Sequence, residues 1–69
     1  MFVPFEEMSK SARIWIYQAN RKMTDEEVNS ASELLTHFVE NWAAHSTPLR
    51  ASYQIKYNRF IILAVDQEY

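Results

Sequence analysis

Residues Phe60 to Asp66 read FIILAVD, apolar at every position until the closing acid. Consecutive apolar positions need cover on both faces of a strand, so this segment is expected at the centre of a sheet. Little chain follows before Tyr69, which makes the expected element set one that is completed by a second copy or by further chain. Two other segments alternate. Arg13 to Tyr17 (RIWIY) puts Ile14 and Ile16 on one face and Arg13, Trp15 and Tyr17 on the other, with large apolar surface on both. Ser52 to Tyr57 sets Tyr53, Ile55 and Tyr57 against Ser52, Gln54 and Lys56, a strand with one polar face. Asn58 and Arg59 are the tightest candidate turn between the last two strands. Asn tolerates left-handed backbone, but Arg is a poor second residue for a type I′ turn, so a slightly longer loop is an equal expectation.

Between the first two strands the periodicity changes to that of a helix. Val28, Ala31, Leu35, Phe38, Val39 and Trp42 fall on one stripe at 100° per residue, with Leu34 and Ala43 flanking it. Glu33, His37, Glu40 and Asn41 lie opposite. The start is marked by Thr24 and, three residues on, Glu27, the spacing of a capping box, with Met23 and Val28 placed as a hydrophobic staple. Asp25, Glu26 and Glu27 also suit the positive end of a helix dipole. The pattern predicts a helix from Asp25 to about His45, about 31 Å long by the standard rise. Ser46, Thr47 and Pro48 are its expected stop.

The order strand, helix, strand, strand predicts an α+β fold. The crossover helix lets the first two strands run parallel, and the apolar third strand belongs between them. The expected architecture is a three-stranded mixed sheet in order 1-3-2 with one long helix on one face, half of a ferredoxin-like plan. The face away from the helix would then present aromatic surface from the first or second strand. Met1 to Ser9 reads as an apolar arm carrying Phe2, Val3, Phe5 and Met8, with Pro4 favouring an extended entry. Residues 1–69 form one small module, expected either to be completed by a second copy or to be the N-terminal half of a longer protein.

Composition narrows the chemistry. The chain has no glycine, which excludes a glycine-rich phosphate loop, and no cysteine, which excludes disulfides and cysteine-based zinc sites. The opening residues lack a basic, apolar leader, and the longest apolar run is too short to span a bilayer, so a cytoplasmic protein with no membrane partner is expected. His37 and His45 stand eight residues apart on the predicted helix, about 12 Å by rise, too far to share one ion. No metal and no cofactor are therefore expected. The acids at the helix start are accounted for by capping, and Asp66 by the return of the chain to solvent. No catalytic residue is assigned.

Aromatic and arginine side chains without a catalytic motif point to an interface. The candidates are Phe2, Phe5, Arg13, Trp15, Tyr17, Tyr53, Tyr57, Phe60 and Ile62. The leading expectation is a structural or protein-interaction module that forms a homo-oligomer, a dimer. Two alternatives stand beside it. One is part of an enzyme or small-ligand-binding protein whose site needs a second copy or a further C-terminal half. The other is weak single-stranded nucleic-acid binding by Arg13, Trp15 and Tyr17 with Arg50, Lys56 and Arg59. A net charge of −2 and so few cations argue against nucleic acid.

The runs VPFEEMSKSARIWIYQANRKMTDEEV, HFVENWAAHSTPLRAS and YNRFIILAVDQ resemble an uncharacterised family of small cytoplasmic Bacteroidetes proteins commonly labelled "ABC transporter ATPase". The likeness covers nearly the whole chain, at Pro4 to Glu7, Arg13 to Gln18, Thr24 to Glu27, Trp42 to His45 and Tyr57 to Asp66. It implies a chain of about twice this length with a second α+β segment, and no catalytic role for any matching position. The label conflicts with the residues. An ABC ATPase needs a phosphate-binding loop with glycines, Lys and Ser or Thr, and this chain has no glycine.

Overall fold

The computed structural model describes residues 1–44 and 47–66. The elements are a 3-10 turn at Phe5–Glu7, β1 (Arg13–Gln18), α1 (Asp25–Glu40), a short pair β2 (Ala43–Ala44) and β3 (Thr47–Pro48), β4 (Ala51–Lys56) and β5 (Phe60–Val65). β5 lies between β1 and β4, so the three long strands follow the expected order 1-3-2. Both ladders are antiparallel, pairing Trp15 with Leu63 and Tyr53 with Leu63 across the sheet. The expected mixed sheet is corrected on that point. β1 and β4 do run the same way, but β5 separates them and no parallel ladder joins them.

The start of α1 follows directly from local sequence. Thr24 Oγ1 accepts from the Glu27 amide at 3.1 Å, and the Glu27 carboxylate accepts from the Thr24 amide at 2.9 Å, which closes the capping box. Arg21 adds a two-pronged contact to the same carboxylate, at 2.9 and 2.7 Å. The end of α1 differs from expectation. The helix stops at Glu40, 16 residues long, or about 24 Å, rather than near His45. Asn41 leaves helical backbone, and its side-chain amide donates to the His37 carbonyl at 2.8 Å. Trp42 turns inward against Phe38 and Trp15. The expected His45 end, the His37–His45 spacing and the Ser46 stop fall partly outside the described residues.

The arm makes the sharper contribution to that helix end. The Phe2 amide donates to the Glu40 carboxylate at 3.1 Å, and the Met1 amino group donates to the Val39 carbonyl at 3.1 Å. A cation there meets the negative end of the helix dipole. Met1 and Val3 also take both outward groups of Ala51, at 2.9 Å each, so the arm lies along the outer edge of β4.

The core is small. Val39, Ala51 and Val65 are buried, with Phe2, Trp15, Trp42, Leu49, Tyr53 and Leu63 packed around them. α1 packs chiefly on β4, and Tyr53 pins it there: its hydroxyl donates to the Ser32 carbonyl at 3.2 Å and lies 2.7 Å from Thr36 Oγ1. On the opposite face the 3-10 turn packs on β4, and Ser52 and Ala64 are buried at that end of the sheet. Asp66 is buried beside them. It accepts from the Ser9 amide at 3.2 Å and lies 3.2 Å from Arg50 Nε, so the expected return to solvent at this residue is corrected.

The β4–β5 connection is the longer of the two expected forms, with Tyr57, Asn58 and Arg59 between the strands rather than Asn58 and Arg59 alone. Tyr57 and Asn58 hold positive φ, 56° and 51°, and the Arg59 amide donates to the Lys56 carbonyl at 3.0 Å. Asn58 sets this frame, because its side-chain amide also donates to the Met23 carbonyl and to Asp25, each at 3.2 Å. Left-handed backbone costs an ordinary residue about 1–2 kcal/mol, and here an aromatic residue bears it. Tyr57→Asn should raise stability by about 0.5–1 kcal/mol in urea denaturation, strain relief outweighing the edge-on contact with Phe60.

The capping box predicts an acid dependence. The Arg21 guanidinium first, and the Thr24 amide next, hold the Glu27 carboxyl down from 4.5 to about 2. A carboxyl lowered on folding stabilises the fold fully above its unfolded value, and that stabilisation is lost as pH falls toward about 2. Helix content followed by circular dichroism should therefore drop between about pH 4.5 and 2, and Glu27→Gln should remove that portion of the titration.

Candidate functional site

β1 is an end strand of the sheet, and no described segment pairs with its outer side. Its hydrogen-bonding phase follows from one contact: the Ala19 amide donates to Arg59 across the β1–β5 ladder at 2.8 Å. Alternation then turns the amide and carbonyl groups of Arg13, Trp15 and Tyr17 toward β5. Those of Ile14, Ile16 and Gln18 point away from the sheet. Three residues thus offer a free row of donors and acceptors. β1 contains neither Pro nor Lys, its one charged side chain, Arg13, stands at its start, and its register to β5 is unbroken.

The side chains beside this edge are apolar on both faces. On the face away from α1, Ile14 is 46% and Ile16 67% exposed, next to half-buried Phe60 and Ile62 of β5. On the helix side, Tyr17 is 54% exposed. Because α1 sits over β4, it leaves the β1 half of this face open. A tilted aromatic row crosses the step, Phe38 to Trp42 at 5.0 Å and Trp42 to Trp15 at 5.9 Å. Leu34, 73% exposed, lies one helical turn from Phe38 and extends the row along the helix. The aromatic side chains of the first strand are therefore on the helix side, and the far face near β1 carries Ile14, Ile16, Ile62 and Phe60.

The candidate residues divide into groups. Arg13, Trp15 and Tyr17 share the helix-side face of β1, with the Arg13 guanidinium 5.4 Å from the Trp15 ring centre. Phe60 and Ile62 lie on the other face, beside Ile14 and Ile16. Tyr57 stands at the hairpin tip, 79% exposed. Phe2 and Tyr53 meet edge-on at 5.7 Å and pack against the core, while Phe5 is half-buried in the 3-10 turn. Ile14, Ile16, Leu34 and Phe38 complete the surface and were not among the candidates. The edge position of the first strand in order 1-3-2 was the signal for the two isoleucines. For Leu34 and Phe38 no such signal existed, because only packing shows that α1 is offset toward β4.

The basic set considered for nucleic acid does not converge. Arg50 is held by Asp66 and the Glu7 carbonyl, and Arg59 reaches the Asn20 carbonyl. Arg13 and Trp42 already occupy the surroundings of the Trp15 ring, which leaves it a poor base-stacking platform. Among the described residues there is no enclosed cavity, no group of three or more potential metal ligands, and no helix long and apolar enough to cross a membrane.

Fold and surface together define a small α+β domain with one helix and a three-stranded antiparallel sheet, in which no described segment pairs with the outer side of β1. No family model matches the chain, and no curated protein or solved structure is significantly similar to it.

The contrast between tied and free side chains is measurable. Tyr53→Phe should destabilise the fold by about 1 kcal/mol, through loss of the hydroxyl contacts to α1. Leu34→Ser should change the unfolding free energy of the monomer by less than about 0.5 kcal/mol, because that side chain is spread on the surface. Urea denaturation at low protein concentration compares the two.

Proposed function

We propose that this chain is a protein-interaction module that self-associates. The observation that carries the reading is the open edge of β1, flanked on both faces by exposed apolar side chains. An edge strand without Lys, Pro or a bulge is a template for strand addition. The contiguous aromatic and aliphatic surface beside it has the composition of an interface core.

The architecture supports the same reading. Order 1-3-2 with the helix on one face is half of a ferredoxin-like plan. In the complete plan a further strand lies beside β1 and a second helix beside α1. These are the two places this chain leaves bare, and an associated copy supplies cover for both. The resemblance to the Bacteroidetes family enters this proposal only as a likeness of the strand and helix-start motifs. ATPase activity is not part of it, because a chain without glycine carries no phosphate-cradling loop.

The test is the molar mass in solution. Light scattering across a micromolar dilution series should give a dimer that dissociates at the low end. A monomer throughout the series would overturn the reading. Trp15 fluorescence, followed in a Trp42→Phe background, should change over the same range.

A further inference from the structure

We infer that the occupant of the open edge is a second copy of β1, paired antiparallel with Ile16 on the two-fold axis. The inference rests on the self-association reading and adds the surface and the register.

The register follows from which backbone groups remain free. Three symmetric antiparallel registers pair more than one outward residue of this strand, those centred on Trp15, Ile16 or Tyr17. Centring on Trp15 sets Gln18 against the Ala12 of the second copy, but the Ala12 amide already donates to the Ser9 carbonyl at 3.0 Å. Centring on Tyr17 sets Ile14 against Asn20, which lies beyond the end of β1 at Gln18. Centring on Ile16 sets Ile14 against Gln18 and Ile16 against itself. Every outward group of the strand is then matched by another that is free, with none left over.

The side chains agree with that register. Trp15 falls opposite the Tyr17 of the second copy on the helix side, a close non-hydrogen-bonded pair of aromatic residues. Ile16 meets Ile16 on the other face. Arg13 falls opposite Ala19, so no like charges oppose one another. The nearby cation Arg21 is already neutralised by Glu27. A strand from another protein is free to choose its own pattern, whereas this edge is complementary to itself. The product is a continuous six-stranded antiparallel sheet in order β4-β5-β1-β1-β5-β4, with both copies of α1 on one face.

The test uses the absence of native cysteine. Cα atoms of such a hydrogen-bonded pair lie about 5.5 Å apart, within disulfide range. Ile16→Cys should form a disulfide-linked dimer under mild oxidation, and Tyr57→Cys at the exposed tip should not. Ile16→Pro removes an outward amide that the monomer does not use, and should raise the dimer dissociation constant more than tenfold with the circular dichroism spectrum retained. Ile16→Lys and Ile16→Glu should each be monomeric alone and should form a dimer when mixed, which happens only if residue 16 faces its own copy. This charge-swap pair decides the matter should Ile16→Pro unfold the chain. A wild-type dimer that survives the Pro and Lys variants, with Ile16→Cys linking no better than Tyr57→Cys, would overturn the register and leave self-association standing. A monomeric wild type would overturn both and assign the edge to a strand of another protein.

Discussion

β5 hydrogen-bonds along both of its sides, to β1 through one set of backbone groups and to β4 through the other. The remaining elements take their places from that pairing. β1 and β4 are held parallel to each other at a distance, as the crossover through α1 requires. α1 leaves β1 beside the hairpin tip, where Asn58 reaches Met23 and Asp25. It then lies along β4, where Tyr53 and Val39 anchor it. A central strand loses all contact between its backbone and water, and only one rich in apolar side chains gains enough burial to offset that loss.

The two sides of the sheet are protected unequally. β4 is covered by α1 on one face and by the 3-10 turn on the other, and Met1 to Val3 bond its outer edge at Ala51. The arm also ties the helix end to the sheet through Val39, Glu40 and Leu49. β1 has none of this cover. The asymmetry has a physical origin in chain connectivity. The arm and the helix both converge on the β4 side, and no described segment pairs with the outer side of β1.

Much of the framework was legible along the chain. Thr24 and Glu27 announced the helix start because capping acts within one turn of backbone. The consecutive apolar run Phe60 to Val65 announced the central strand, because a strand wet on either face would alternate. Features that depend on partners far along the chain were not legible. Asp66 is buried through Ser9 and Arg50, and the turn frame depends on contacts from Asn58 to Met23 and Asp25. The helix end depends on Phe2, Met1 and the stacking of Trp42 on Trp15. None of these partners lies within reach of a local pattern.

The free surface shows the same division. Alternation along RIWIY determined which side chains share a face, since strand geometry leaves no other choice. Sequence alone also determined the missing chemistry, because a phosphate loop cannot form without glycine. Tertiary structure decided that α1 would sit over β4 and leave Phe38 and Leu34 beside a bare β1. It also decided which backbone groups of β1 remain unused. Both depend on the relative placement of whole elements, which is set by the packing of a few side chains such as Val39, Tyr53 and Trp42 across distant parts of the chain.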